Sequence, residues 1–283
     1  MTTTVLKTIA KRGKKPNRAA GAIRRILMMI ALPVILLAIW WFASANSTNY
    51  LNPPLQTTFA EFGPTWFGGD SFGETRFMKD VIPSFWRIIA GFGIALVIGI
   101  VLGIAIGSSR KLRATVEPVL EFFRAIPPPV LVPIFMLFMG IGDSMKIAVI
   151  AIGCVWPILL NTVEGVRALD PVLKDISMSY RFTWHGRLFK LILPGSSPQA
   201  VTGARQALSI GIILMVISEM FAAKDGLGFS IVQFQRSFAI PEMWGGVILL
   251  GLLGLFFALV FRVVTGAILK WYYGYLNTQR GGA

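Results

Sequence analysis

"DISMSYRFTWHGRLFKLILPGSSP" occupies Asp175 to Pro198. Asp175, Arg181, His185, Arg187 and Lys190 crowd together here, ahead of a Leu193-Pro194 step. The surrounding chain is 55% hydrophobic and only 14% charged, so this segment is a polar island between long apolar runs. Upstream, Asp170-Pro171 predicts a helix start with proline at the first helical position. Val172, Ile176 and Ser179-Tyr180 follow at helical spacing. A second short helix is expected from Trp184 to Leu193, with Leu188, Leu191 and Ile192 on one face. Pro194 should stop it, and Gly195-Ser196-Ser197-Pro198 should turn the chain into the next apolar run.

Those apolar runs decide the class. The chain has 283 residues and a formal net charge of +14, and its mean hydropathy is +0.69. A soluble domain carries about 25% charged residues, so this is a membrane protein. A bilayer core about 30 Å thick takes roughly 20 helical residues. Six stretches approach that length: Ile26–Ala43, Ile88–Ser109, Ala125–Gly142, Ile147–Val163, Gln206–Ala223 and Met243–Phe261. Helices are expected because each run is longer than a strand and backbone groups in lipid must be satisfied within the segment.

Basic residues predict the orientation. Lys7, Lys11, Arg12, Lys14, Lys15, Arg18, Arg24 and Arg25 precede the first run. Between Ser44 and Asp80 only Arg76 and Lys79 stand against Glu61, Asp70, Glu74 and Asp80. Arg110, Lys111 and Arg113 follow the second run, and Arg167, Lys174, Arg181, Arg187 and Lys190 lie between the fourth and fifth. The positive-inside rule then puts both termini and the Asp175 segment in the cytoplasm. The charge reflects topology and attraction to anionic lipid, not nucleic-acid binding. Ala43-Ser44-Ala45 resembles a signal-peptidase site, but the apolar run before it exceeds a usual signal core.

Familiar reaction chemistry is missing from the sequence. Cys154 and His185 each occur once, so neither a disulfide nor a metal cluster is expected. No G-x-x-x-x-G-K-[ST] phosphate loop occurs, so ATP hydrolysis is not expected on this chain. No Ser/His/Asp set with usable spacing suggests a catalytic residue. Proton-coupled carriers use intramembrane carboxylates or histidines, and only Glu219 lies well inside a run. An ion-coupled secondary transporter is therefore the rival reading, with Glu219 its one support. No inverted repeat is evident.

The island has a close counterpart. It resembles the cytoplasmic loop of binding-protein-dependent ABC importer permeases, with the pattern E-A-A, three residues, G, nine residues, I-x-L-P. Asp175-Ile176-Ser177 stands at E-A-A, Arg181 at the glycine, and Leu191-Ile192-Leu193-Pro194 at I-x-L-P, with the spacing intact. "RAIPPPVLVPIFMLFMGIGD" (Arg124–Asp143), "WPILLNTVEGV" (Trp156–Val166) and "SEMFAAKDGLGFSI" (Ser218–Ile231) are similar to the nitrate/sulfonate/taurine group of these permeases.

The resemblance implies an all-α membrane protein with six transmembrane helices, a MetI-like importer-permease fold and a cytoplasmic coupling helix. It also implies a transport path for a small anionic solute. The implied partners are two ABC ATPase subunits carrying the ATP and Mg, a second permease subunit in a homodimer, an extracytoplasmic substrate-binding protein, and lipid. No cofactor is expected on this chain, and the implied location is the bacterial inner membrane. The implied layout is a basic tail at 1–25 and a first span with an extracytoplasmic segment at 26–80. A five-helix core follows at 81–270 with coupling loop 167–199, then a cytoplasmic tail at 271–283.

By the same resemblance Asp175, Ser177, Arg181, Arg187, Leu193 and Pro194 would couple to the ATPase. Arg181 stands where the family has glycine, and arginine takes a positive φ at a cost of about 1 kcal/mol. Either the bend avoids that geometry or Arg181 contacts the partner.

Candidate path or gate residues are Pro128, Trp156, Asn161 and Glu219. Pro127-Pro128-Pro129 and Pro133 either kink a span or break it where it lines a cavity. Asn161 reads as glue between helices or as a substrate contact. Glu219 reads as a snorkelling carboxylate at the headgroups or as a gate group. In the second case it would pair with an Arg or Lys of another span, or with backbone donors at a helix start near Gly226-Leu227-Gly228. Gly99, Gly103 and Gly107, one turn apart with Ala95 before them, permit close helix packing within a subunit or between subunits. The aromatic residues between Ser44 and Asp80 suit interface anchoring or contact with a binding protein.

Overall fold

The computed structural model describes residues 31–32, 34–221 and 223–280. The basic tail, and the first expected span at 26–30 and at Pro33, lie outside them. The chain divides into two units, 1–59 and 60–283. In the first, α1 (Val34–Ser44) is an apolar helix, and Ser44 Oγ accepts from the Leu55 N–H at 3.1 Å. α2 (Leu55–Phe67) begins there.

In the second unit every regular element among the described residues is a helix. One long helix runs Phe77–Ser108. Its first turn is wide, with the Ile82 N–H bonding the Phe77 carbonyl five residues back, and α3 (Ile82–Ser108) continues it. There follow α4 (Arg110–Ala125), α5 (Leu131–Met139), α6 (Asp143–Arg167), α7 (Pro171–Ser179) and α8 (Trp184–Arg187). Then come α9 (Leu193–Phe221), α10 (Leu227–Arg236), α11 (Ile240–Ile268) and α12 (Lys270–Arg280). Among the described residues four helices are long and apolar enough to cross a membrane: Phe77–Ser108, Asp143–Arg167, Trp184–Phe221 and Ile240–Ile268. The bent pair α4–α5 makes a fifth if it is one span, against the six expected.

Two expectations are corrected. Ala125–Gly142 is not one helix, because α4 ends at Ala125 and α5 holds only 9 residues, with a 73° bend between them. Ile126 is extended, as a residue before proline tends to be, and Pro127–Pro129 cannot donate to a helix ladder. Nor does Pro194 stop the second loop helix, since one helix runs from Trp184 to Phe221. The chain widens just before the proline, where the Leu193 N–H reaches back five residues to Leu188. Pro198 leaves the Pro194 carbonyl without its backbone donor, and Ser197 Oγ donates to that carbonyl at 2.7 Å. A hydroxyl thus replaces the missing N–H, and the helix continues through both prolines.

α6 lies between α3 and α9. A Cβ added at Gly91 would meet Ile150, at Gly99 Ile158, at Gly103 Thr162 and at Gly107 Val166. Those partners advance together, so α3 and α6 are parallel, and residues 109–142 carry the chain back along the bundle. Against α9 the order reverses: Gly211 faces Cys154, and Gly203 faces Pro157 and Asn161. The α3 glycines therefore serve packing within the chain. At Gly99 the added Cβ would lie 2.7 Å from Ile158 Cγ2, so a backbone without side chain is needed there. Cys154 is buried in the other seam, its Sγ donating to the Ala207 carbonyl at 3.1 Å.

This packing predicts a contrast on one helix. At Gly103 a Cβ would stand 2.6 Å from Thr162 Cβ and 2.9 Å from the Leu159 carbonyl oxygen. Gly103→Val should cost about 1–3 kcal/mol by overpacking. Gly93→Ala, whose new Cβ meets nothing within 4 Å outside its own turn of helix, should not lower stability and should raise it by up to about 0.5–1 kcal/mol through helix propensity. Thermal unfolding in detergent checks both, and equal midpoints for the two variants would contradict the seam.

Candidate functional site

The charges that sequence placed at span edges meet inside the protein. Where α3 and α6 begin and α9 ends, Asp80, Arg87, Lys146 and Glu219 are all buried. Arg87 is the hub. Its Nη1 donates to Glu219 Oε1 at 2.6 Å. Its Nε donates to Asp143 Oδ1 at 2.7 Å, with Nη2 2.6 Å from the same oxygen. Nη2 also pairs with Asp225 Oδ1. Lys146 Nζ stands 3.8 Å from Asp143 Oδ1 and 3.8 Å from Asp225 Oδ1.

The α10 N-terminus closes the cluster. Helix starts leave backbone N–H groups unsatisfied and carry positive partial charge. Here the Gly226 N–H donates to Asp80 Oδ1 at 3.1 Å. The Leu227 N–H donates to Ser84 Oγ at 2.9 Å, and the Gly228 N–H to Glu219 Oε2 at 2.9 Å. Ser84 Oγ lies 2.8 and 2.9 Å from the two Glu219 oxygens, and Ser230 Oγ donates to Asp80 Oδ2 at 2.6 Å. Gly226 has φ +117°, and any Cβ there would lie 2.4 Å from the Glu219 carboxyl carbon. Only glycine closes this turn over the acid.

Glu219 is thus fully buried and doubly held, by a guanidinium from α3 and by a helix start. The snorkelling reading is corrected, because a side chain 0% exposed does not reach the headgroups. Glu219, the one charge well inside an apolar run, is joined in the fold by buried Asp80, Arg87 and Lys146. Arg87 and Lys146 had the appearance of flanking residues because they end the apolar runs. In the fold α3 and α6 extend past them, at 1% and 3% side-chain exposure. The available signal was the match of Arg87 and Lys146 with Asp143, Glu219 and Asp225 at the same end of successive spans. Beside the cluster lies an open polar cleft of about 930 Å³, with Arg76, Lys79, Lys224, Glu74, Asp80 and Asp225 in its wall.

The other sequence candidates lie elsewhere. Trp156 and Asn161 are 13 and 18 residues into α6 from Asp143, about 20 and 27 Å along the helix. Both are half-buried. Asn161 Nδ2 donates to the Pro157 carbonyl at 2.8 Å and lies 3.5 Å from Gln206 Oε1, in the seam with α9. Half-buried Pro128 approaches α6 at Gly153.

The loop sits at the opposite end of the bundle. Asp170 caps α7, accepting from the Val172 N–H at 2.8 Å. The Arg181 N–H bonds the Met178 carbonyl at 2.9 Å and the Phe182 N–H bonds the Ser177 carbonyl at 3.0 Å. These two bonds close a helix end of the kind glycine favours, with Arg181 itself at φ +51°. The bend keeps its left-handed geometry although the residue is arginine. Asp175 and Leu193 are exposed, Ser177 is buried, and Pro194 is half-buried. Arg187 is half-buried with its Nε buried and unpaired. It lines a cavity of about 140 Å³ with Lys174, Trp184 and Ser108.

Residues 95–272 match the family model described as "Binding-protein-dependent transport system inner membrane component". The chain is 27% identical to the taurine transport system permease protein TauC of Escherichia coli (strain K12) over 252 residues, covering 88% of this chain and 91% of that protein. It is 28% identical to the nitrate import permease protein NrtB of Synechocystis sp. over 249 residues, 87% of this chain and 90% of that one. Among solved structures it resembles the inward-facing MetNI methionine ABC transporter. The TM-score is 0.55 at 21% identity, covering 66% of this chain and 94% of that one, which is a likeness of fold.

Breaking the buried pair leaves a charge stranded. Arg87→Met or Glu219→Met alone should cost about 3–5 kcal/mol, and the two together should recover much of that loss. Unfolding of both single variants and the double variant measures the coupling, and purely additive losses would mean the two groups do not support one another.

Proposed function

The chain belongs to the family of binding-protein-dependent transport system inner membrane components, and on that premise we propose that it is the permease subunit of an ATP-driven importer of small oxyanions. Named relatives carry taurine and nitrate, which share a compact anionic head. In this reading six helices cross the inner membrane with both termini cytoplasmic. The unit 81–270 forms the path core, flanked by the segment 26–80 and the tails 1–25 and 271–283. Two copies pair, a soluble binding protein delivers solute outside, and two ATPase subunits hold ATP and Mg beneath.

One observation carries the coupling assignment. Val172, Leu173, Ile176, Met178, Tyr180, Phe182, Trp184 and Phe189 are all exposed on or beside α7 and α8. An apolar surface on a polar-capped knob outside the spans suits a partner protein. Asp175, Arg181 and Leu193 would contact the ATPase, Ser177 and Pro194 would hold the knob's shape, and Arg187 would anchor it. Glu219 then belongs to an outer gate, with Pro128, Trp156 and Asn161 along the path. An ion-coupled carrier would need a carboxylate free to take its ion, and Glu219 is engaged by Arg87, Ser84 and Gly228. Mass spectrometry of subunits co-purified in mild detergent tests the class; no ATPase across several detergents would favour the secondary transporter.

Asp175→Lys and Arg187→Glu should reach the membrane at normal levels while uptake and ATPase docking fall together. Normal docking with wild-type uptake would remove the coupling role.

Arg181→Gly relieves a positive φ and should raise stability by up to about 1 kcal/mol. ATPase affinity measured on the same variant separates geometry from contact: a fall assigns Arg181 a partner, and an unchanged value leaves only the bend.

A further inference from the structure

Two oxygens converge on the same pair of cations. Asp143 Oδ1 and Asp225 Oδ1 both contact Arg87 Nη2, and both stand 3.8 Å from Lys146 Nζ. They come from two different carboxylates, so two negative charges are brought onto one nitrogen. A single oxyanion presents two oxygens at the cost of one charge, and guanidinium suits that planar, two-oxygen contact.

The carboxylates are unequally held. Glu219 is 0% exposed and tied to Ser84 and Gly228 as well as Arg87. Asp143 and Asp225 have 58% and 47% side-chain exposure, one at the first residue of α6 and the other in the turn before α10. Swinging away returns them to water, which Glu219 cannot do. Their departure leaves two cations facing one carboxylate, and Arg87 still paired through Nη1. Asp225 also lines the polar cleft, so the cleft reaches the cluster through it.

We infer that Arg87 and Lys146 form an oxyanion site in which Asp143 and Asp225 stand in for the absent ligand, with Glu219 as the fixed counter-charge. The ligand class is a sulfonate, carboxylate or similar small oxyanion, exchanged for the two aspartates as it enters. The site rests on the importer reading and supplies it with a recognition element on the permease itself. A ligand shifts such an equilibrium only through its differential affinity for the two arrangements, and here the difference is the relieved like-charge contact.

The test uses the intact complex in nanodiscs, with thermal unfolding followed against sodium ethanesulfonate, and sodium chloride at equal ionic strength as the control. Ethanesulfonate should raise the midpoint of the wild type. The Asp143→Asn/Asp225→Asn variant should reach half its shift at about tenfold lower concentration, and Lys146→Gln at about tenfold higher. No sulfonate-specific shift in the wild type overturns the site, as does protection by choline chloride instead. Should the double variant fail to assemble, Lys146→Gln decides, and an unchanged half-point overturns the proposal. A complex that keeps its ATPase yet ignores ethanesulfonate sinks this inference alone, whereas one without an ATPase sinks the importer reading.

Discussion

A guanidinium removed from water must be met by opposite charge, and Arg87 is met from three directions. Its acceptors lie 56, 132 and 138 residues further along the chain. Leaving such an ion unpaired costs several kcal/mol, so the start of α3, the start of α6, the end of α9 and the turn into α10 are not free to separate. The α10 N-terminus adds its own constraint, because three consecutive N–H groups end on Asp80, Ser84 and Glu219. One residue organises the whole end of the bundle. Nothing comparable exists at the loop end, where among the described residues the ion pair Arg167–Glu164 joins exposed neighbours on one helix.

Between the two ends cohesion has a different source. Lipid tails are as apolar as leucine, so helices within a bilayer gain little from burying hydrophobic surface against each other. α3, α6 and α9 instead interlock through glycines, whose missing side chains let Ile158, Thr162 and the Pro157 carbonyl approach the opposing backbone. α11 is long and apolar but mostly exposed within the single chain. The bundle is thus a tight three-helix seam pinned at one end by charge.

Much of this was legible in the chain. The apolar runs locate four long helices but not all their starts, which lie 11 residues before Ile88 and 22 before Gln206 in two of them, and the Asp170-Pro171 start fixes α7. Glu219 stood out as the one carboxylate inside a run, and pairing with a basic residue of another span, or with a helix start, was among its readings. What escaped notice has a common cause. Hydropathy ends a span at the first charge, so Arg87 and Lys146 were read as borders, although a helix continues past a charge whenever a partner waits on the neighbouring span. Pro194 misled for the converse reason. A proline stops a helix only if its lost hydrogen bonds go unreplaced, and neither the widened turn at Leu188–Ile192 nor the Ser197 hydroxyl declares itself in a residue pattern. The parallel run of α3 and α6 was legible, since alternate crossing sends the second and fourth runs the same way, and the glycine pairs agree with it.

The unbroken helix from Trp184 to Phe221 joins the exposed knob to Glu219. Its 38 residues span about 57 Å. Close to the rod's midpoint Gly203 lies against the backbone of α6, where an added Cβ would stand 2.4 Å from the Pro157 carbonyl oxygen. Held near its middle by the seam and at its Glu219 end by charge, the rod is least restrained along the arm that ends at the knob. A bend of about 5° would carry the knob by roughly 2 Å over that arm of about 28 Å.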